Sequence, residues 1–426
     1  MKTTLGFALA FFLAFSGCQK KSQPNEIRFW AMGAEGEKVK LVIPEFEKEN
    51  PGVTVSVQMI PWTAAHEKLV TAVASGTEPD LTQLGNTWIP EFVALGALKN
   101  LDSLANQSES ATQSKFFEGV WETNVLDKNL YGIPWYVDTR VMFYRKDVFR
   151  KAGYDHPPKT WDELRDLCEK IKKLPGNSKN YAIYLPANEW SHFVTFGLQA
   201  GSPILKDSDT RGAFSDPEFR RSFTYLMSFL YDSLAPPRFT EVTNVYQAIE
   251  QGFFSIYMSG PWNIPEFKKR LPAHLQSEWM TAPLPGPDNQ YPGYSLAGGS
   301  SLVMFRNSKN PELTWKFVEF LSRKSTQLKF FNVSGDLPAV KEAWQDSVFL
   351  ADPYLAAFRQ QLDHVKSTPK IPEWEQIAFS RIQTFAELAT ARKLTIDQTL
   401  KQLDESVNII LEKRRWYLEK IGKVKP

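Results

Sequence analysis

Three short segments of this 426-residue chain pair a glycine with an indole: RFWAMGAEGEKVK (Trp30, Gly33), LTQLGNTWIPEF (Gly85, Trp88) and SIYMSGPWNIPEF (Gly260, Trp262). Each reads as strand, short loop, helix. Glycine lets the backbone approach a bound molecule closely, and an indole on a loop offers a flat apolar face. Planar polar groups sit beside aromatic ones elsewhere too: Trp30 with Glu35, Asn86 with Trp88, Trp135 and Tyr136 with Asp138, and Glu189 with Trp190. Together these groups suit a molecule with an apolar face and a hydroxylated edge. A pyranose ring is one: its C–H face stacks on indole, and adjacent hydroxyls pair with planar carboxylates and amides. Such a site rejects analogues that lack a hydroxyl, because a buried polar group is then left unpaired. One loop tryptophan alone is as well explained as a packing anchor; three at equivalent positions are harder to explain that way.

The elements that must hold these groups follow an α/β order. IRFWAM and the alternating VTVSVQMI (Val53, Val55, Val57, Met59) predict strands, with the helical face Val39, Val42, Phe46 between them and Pro44 as a kink. HEKLVTAVASG predicts a helix, PDLTQL a strand and IPEFVALGAL another helix, which argues for a largely parallel sheet. In open sheets of this kind ligands collect at the carboxyl ends of strands. A second unit follows, with capping boxes at Thr160–Glu163 and Ser215–Glu218 opening helices. FFSIYM and SSLVMF predict strands on either side of a Pro/Gly-rich crossing, PLPGPDNQYPGYSLAGG. A helix from Asn310-Pro311 turns Phe317, Phe320 and Leu321 inward, and Thr395–Gln398 caps a long helix through Leu400, Leu403, Val407 and Ile410.

Length and composition bound the rest. A chain this long needs two domains. Residues Leu5 to Phe15 are apolar but too few to span a bilayer. With Ser16-Gly17 before Cys18 they predict a signal peptide over 1–17, an acylated Cys18 and a flexible tether over 18–26. Losing Lys2 with the signal takes Lys+Arg from 50 to 49 against 48 Asp+Glu, with no basic stripe for nucleic acid. Cys168, the second of two cysteines, lies on a helical apolar face and predicts a core thiol. The five histidines are dispersed without metal-like spacing, and KDSDTRGAFSD lacks the calcium-loop pattern. No metal and no cofactor is expected. LEKRRWYLEK predicts a mixed-charge helix face with Trp416 packed beneath it.

GIPWYVDTRVMFYRKDVFRKAGYDHPPKTWDEL resembles the central signature of the extracellular solute-binding proteins of family 1, the sugar-binding subunits of ABC importers. FEKENPGVTV, ASGTEPDL, LGALKNLD, AIEQGFFSIYMSGPW, YSLAGGSSLVMF with NPELTWKFVEFL, GDLPAVKEAW and TIDQTLKQLDE match the family in order over nearly the whole chain. The resemblance implies a two-lobed periplasmic-binding-protein fold: two α/β lobes joined by hinge crossings, with a ligand cleft between them. The lobes would be 27–136 with 298–332, and 137–297 with 333–426. Carried over, Trp262 stacks on the ligand; Asn86 and Trp88 reach it from the first lobe. Tyr136 and Asp138 sit at the first crossing, and Glu189 and Trp190 lie on the second lobe. Gly298 and Gly299 let main chain touch the ligand, and Asp336, Trp374, Trp62 and Glu35 match more weakly. Arg140 ties the hinge to a carboxylate and stays outside this set.

The resemblance implies a monomeric sugar receptor on the outer side of a bacterial membrane, held there by its lipid alone, that serves the transmembrane subunits of an ABC permease. Two alternatives remain open: the same fold binding a polyamine in an acidic-aromatic box, and a lipid-anchored glycoside hydrolase with two carboxylates flanking a scissile bond.

Overall fold

The structure, a computed structural model, describes residues 25–176 and 179–424. The expected signal peptide, Cys18 and nearly all of the expected tether lie outside the described residues.

The chain lays down β1 (Glu26–Met32), α1 (Gly33–Lys38), β2 (Thr54–Ile60), α2 (Trp62–Ser75), β3 (Leu81–Gly85) and β4 (Ile133–Asp138). It then builds β5 (Val141–Arg145), α3 (Trp161–Lys172), β6 (Ile183–Tyr184), α4 (Trp190–Gln199), α5 (Pro217–Tyr231), β7 (Ile256–Ser259), α6 (Asn263–Arg270) and β8 (Trp279–Ala282). It closes with β9 (Gly298–Met304), α7 (Pro311–Leu321), α8 (Lys324–Ser334), β10 (Leu337–Pro338), α9 (Pro353–Leu362), α10 (Ile396–Ile410) and α11 (Glu412–Lys420).

Two sheets organise these elements, one per lobe. The first has the order β10-β4-β9-β3-β1-β2, and the second β8-β5-β7-β6. β1 pairs parallel with β2 and β3, as the alternating strands and helices predict, while β9 returns antiparallel between β3 and β4. That return is the switch in strand direction at which a crevice opens. The first sheet reaches past residue 332, because Leu337–Pro338 pairs with Val137 and Tyr136 of β4. One core packs Phe29, Phe46 and Trp135 against Phe317, Phe320 and Phe330; another packs Trp161, Cys168, Phe196 and Trp374 in the second lobe.

The passages between lobes position the site. Thr139 and Arg140 alone separate β4 of the first sheet from β5 of the second. The Thr139 hydroxyl donates to the Leu296 carbonyl (2.9 Å), and Ser295 exchanges bonds with the backbone of Arg140 (3.1 and 2.9 Å). The segment leading into β9 is thereby stitched to the first crossing.

The helix caps follow the sequence in part. Thr395 and Gln398 form the full box at α10. At α3, Thr160 caps Glu163, but the Glu163 carboxylate turns to the Lys159 N–H (2.7 Å), so half the box forms. At α5, Asp216 occupies the cap position without capping, because its carboxylate is drawn to Lys206 (2.6 Å). α11 is held to the body by Arg414 and Arg415, which donate to the Asp209 and Thr210 carbonyls (3.1 and 3.2 Å), and none of its residues is buried. Trp416 is 57 % exposed, so the expectation that it packs beneath the helix is corrected.

Candidate functional site

A cavity of about 520 Å³ opens between the two sheets, within the roughly 300–1,000 Å³ of small-molecule sites. Glu35, Trp62, Tyr136, Asp138 and Asp336 line it from the first lobe; Trp262, Lys268 and Asp352 line it from the second.

The first-lobe wall is a hydrogen-bonded assembly. β4 alternates, so Tyr136 and Asp138 share one face of the strand. The Tyr136 hydroxyl donates to Glu35 Oε1 (3.1 Å) and accepts from Gln83 (3.0 Å) and Ser300 (2.9 Å). Gln83 is fixed in turn by the Met32 N–H (2.7 Å). Glu35 sits in the first turn of α1, where the helix dipole favours a carboxylate. Gly33 begins that turn at a φ of +51°, and a Cβ there would lie 2.9 Å from the Trp62 ring, so glycine leaves room for the indole. Trp62 is 36 % exposed and meets Trp88 edge to face at 5.7 Å.

Indole and cations make the second-lobe wall. Trp262 is 49 % exposed at the start of α6. A Cβ on Gly260 would fall 2.1 Å from its ring, so this glycine too is a floor for an indole. The Arg140 guanidinium lies 4.8 Å from the Trp262 ring and donates to Asp138 Oδ1 at 2.7 Å. Arg140 therefore does tie the hinge to a carboxylate, as the sequence suggests, but in doing so it joins the site. Lys268 pairs with Asp352 at 2.7 Å.

The carboxylates outnumber the cations. Asp138 and Asp352 are paired, whereas among the described residues Glu35 and Asp336 have no cationic partner. Burial, and then the neighbouring Glu35, push the Asp336 carboxyl up to about 7. Burial, followed by Glu35, also raises the Tyr136 hydroxyl well above its ordinary range, so it remains a donor.

The other expected site residues are distributed as follows. Trp135 and Trp374 are 1 % and 0 % exposed. Trp135 points to the opposite face of β4 from Tyr136 and stacks on Phe330 (4.6 Å), and Trp374 lies in the second-lobe core, so the expectation that they touch ligand is corrected. Trp30 packs under α2 with Lys68 over its ring at 4.9 Å, away from the cavity. Trp190 is buried edge-on to Trp374 (5.7 Å) and borders Phe379 (5.9 Å) in the second-lobe core, and it does not line the cavity. Glu189 caps α4 through the Ser191 N–H and, with Arg140, acts electrostatically on Tyr257. Asn86 donates to the Ala297 carbonyl (2.6 Å), which fastens β3 to the hinge segment. Gly298 and Gly299 are required for a reason other than ligand contact: side chains there would strike the Asp138 carboxylate and the Tyr136 carbonyl on β4.

Sequence reasoning missed Arg140, which bridges Asp138 and Trp262, and the Lys268–Asp352 pair; Glu375 and Phe379 lie outside the cavity. Burial raises the Glu375 carboxyl, and the neighbouring Thr87 and Trp88 side chains of the first lobe act against that rise. Phe379 is exposed on a π-helical turn, Gln376–Ile382, a device frequent at functional sites. No motif announces that turn. Among the described residues no group of three His, Cys, Asp or Glu side chains is placed to hold a metal. Also among them, no helix is long and apolar enough to cross a membrane.

Comparison with known proteins agrees with this architecture. The chain is similar to the structure of the sugar-binding protein MalE from Xanthomonas citri, with a TM-score of 0.89 and 42% identity over 92% of this chain and 99% of that one. It is 32% identical to a binding protein of Brucella abortus over 78% of this chain and 80% of the relative. It is 27% identical to the diacetylchitobiose binding protein DasA of Streptomyces coelicolor over 76% of this chain and 74% of the relative. The family model for bacterial extracellular solute-binding proteins matches residues 32–328. With two lobes, a cleft at the strand switch and this match, the chain belongs to the bacterial extracellular solute-binding protein family.

Proposed function

We propose that this protein captures a carbohydrate, a di- or oligosaccharide or a glucoside, in the cleft and delivers it to the transmembrane subunits of an ABC permease. One observation carries the reading: indole plates from opposite lobes, Trp62 and Trp262, line a single cavity together with Glu35, Asp138 and Asp336. Stacked sugar faces and paired hydroxyls need that combination. The similarity to the Xanthomonas sugar-binding protein and the Streptomyces diacetylchitobiose binding protein supports it.

The protein acts by hinge closure. A ligand that touches both walls favours the closed arrangement by its differential affinity for it, and the permease reads that shape. No bond of the ligand is made or broken. The lobes are 27–136 with 298–332, and 137–297 with 333–426, except that Val137 and Asp138, the end of β4, and residues 333–338, up to β10, belong with the first. Residues 1–17 direct export, Cys18 carries the lipid, and the monomer works on the outer side of the membrane.

Calorimetric titration against a panel of mono-, di- and oligosaccharides tests the reading. A sugar should bind, be recovered intact, and keep its affinity as salt is raised. A second reading, a polyamine ligand, is favoured by the two carboxylates without cationic partners. It predicts heat from the amine and weakening with salt. Heat from amines and none from any sugar would remove the carbohydrate reading; turnover of a glycoside would make the protein a hydrolase.

A further inference from the structure

Hydrogen-bonding capacity is spread unevenly along the cleft. At one end it is open. Glu35 engages the Tyr136 hydroxyl through Oε1 (3.1 Å), and Asp138 engages Arg140 through Oδ1 (2.7 Å). Among the described residues no donor reaches Glu35 Oε2 or Asp138 Oδ2, and both carboxylates line the cavity. Glu35 and Asp138 are also the charges that act on Asp336, so Asp336 belongs with this end. Trp62 lies over Gly33, beside Glu35, so an indole face and free acceptors coincide there. That combination matches a sugar ring.

At the other end the polar groups are already engaged by the protein. Lys268 Nζ donates to Asp352 Oδ2 (2.7 Å), and Asp352 Oδ1 accepts from the Tyr354 N–H (3.0 Å). Ser334 Oγ donates to the Phe330 carbonyl (2.8 Å) and accepts from the Asp336 N–H (3.1 Å). The wall beside them is hydrocarbon. Ile264, Leu337 and Leu355 are buried in one core cluster, Phe331 packs on it, and all four line the cavity. Helical spacing puts them there. Ile264 lies one turn before Lys268 on α6, Phe331 one turn before Ser334 on α8, and Leu355 in the first turn of α9, after Asp352.

A second sugar ring against this end would press hydroxyls onto aliphatic side chains and leave them unpaired. A hydrocarbon group there removes apolar surface from water without that penalty. Both ends belong to one cavity of about 520 Å³, so a molecule that fills it carries both characters. Trp262 joins them: Arg140, the partner of Asp138, lies over its ring, and α6 runs from it to Ile264 and Lys268.

Resting on the carbohydrate reading, we propose that the ligand is a glycoside with an apolar aglycone, its sugar ring at Glu35 and Asp138 and its aglycone against Ile264, Phe331, Leu337 and Leu355. The aglycone is an aryl or branched alkyl group, and the cleft selects for it as well as for the sugar.

Calorimetry tests this with methyl and phenyl glucosides and galactosides of both anomers, beside maltose, cellobiose and lactose. In at least one series the phenyl glycoside should bind about tenfold or more tighter than its methyl counterpart, and tighter than all three disaccharides. Its heat-capacity change should be the more negative. Phe331→Ala should reduce the phenyl advantage to about threefold or less and leave the methyl glycoside within about twofold. The comparison of ligands on the parent protein does not depend on that variant folding. Phenyl glycosides no tighter than methyl ones in every series, or a disaccharide tighter than every phenyl glycoside, overturns the proposal and leaves the carbohydrate reading standing. A full phenyl advantage in a folded Phe331→Ala variant overturns it too. No heat from any sugar or glycoside removes the carbohydrate reading and this proposal with it.

Discussion

The two walls of the cleft are built on opposite plans. On the first lobe, the Tyr136 hydroxyl is bonded to Glu35, Gln83 and Ser300, and each of these is anchored in the strands or first helix of a six-stranded sheet. On the second, a half-exposed indole rests on a glycine at the start of a short helix, with Arg140 over its face. One wall is polar and fixed before ligand arrives; the other supplies area and little directional bonding. A preorganised polar wall selects hydroxyl positions, since its groups lose little freedom on binding. An apolar plate contributes affinity over any sugar face it can cover.

That contrast yields four expectations, the largest first. Trp262→Ala should weaken carbohydrate binding by about 30- to 100-fold, as loss of a central aromatic anchor does. Trp135→Phe, in the sealed core, should leave the Kd within about threefold. Equal losses in calorimetry would erase the distinction between plate and core. Asp138→Asn or Glu35→Gln should cost about tenfold and change the ranking of sugars that differ in one hydroxyl, because a charged acceptor is lost. A uniform loss across the panel would mean that the first wall does not select.

Tyr136→Phe should weaken binding by about threefold to tenfold by releasing Glu35, and should lower the melting temperature because Gln83 and Ser300 lose a buried partner. An unchanged melting curve would show that the hydroxyl does not organise that wall. The smallest effect concerns protons. The Asp336 carboxyl is raised in the folded protein to about 7 from 3.8, so the folded state holds its proton more tightly than the unfolded one. Stability of the ligand-free protein should therefore fall as pH rises from about 4 through about 7, and level off above that. Asp336→Asn should melt a few degrees above the parent at pH 8 and at the same temperature at pH 4. A difference independent of pH would refute the assignment.

Much of this could be read in the sequence, and the exceptions have physical causes. Gly–Trp loops at strand ends marked Trp262, the neighbouring of aromatic and planar polar groups marked Glu35, Tyr136 and Asp138, and the resemblance added Trp62 and Asp336. Trp135 was misjudged although the means to avoid it was present: adjacent residues of a strand face opposite sides, so Trp135 and Tyr136 cannot both reach the cleft. Trp30 is the same error on β1, where the preference for a loop indole hid a residue that belongs under α2. Trp374 shows the converse limit, since an indole in a Pro-rich stretch has no periodicity to give its direction. Arg140 could not be assigned because its position over Trp262 depends on two segments far apart in the chain. The π-helical turn Gln376–Ile382 that carries Phe379 has no local motif to mark it.

Asp138 ends one sheet, and with only two residues between, the other begins at Val141. A hydroxyl held by that carboxylate therefore pulls almost at the fulcrum, and the Trp262 plate, linked to Asp138 through Arg140, turns with the second sheet. Contact chemistry and leverage are concentrated in four consecutive residues, Asp138 to Val141, so the geometry that recognises a guest is also the geometry that would report its arrival.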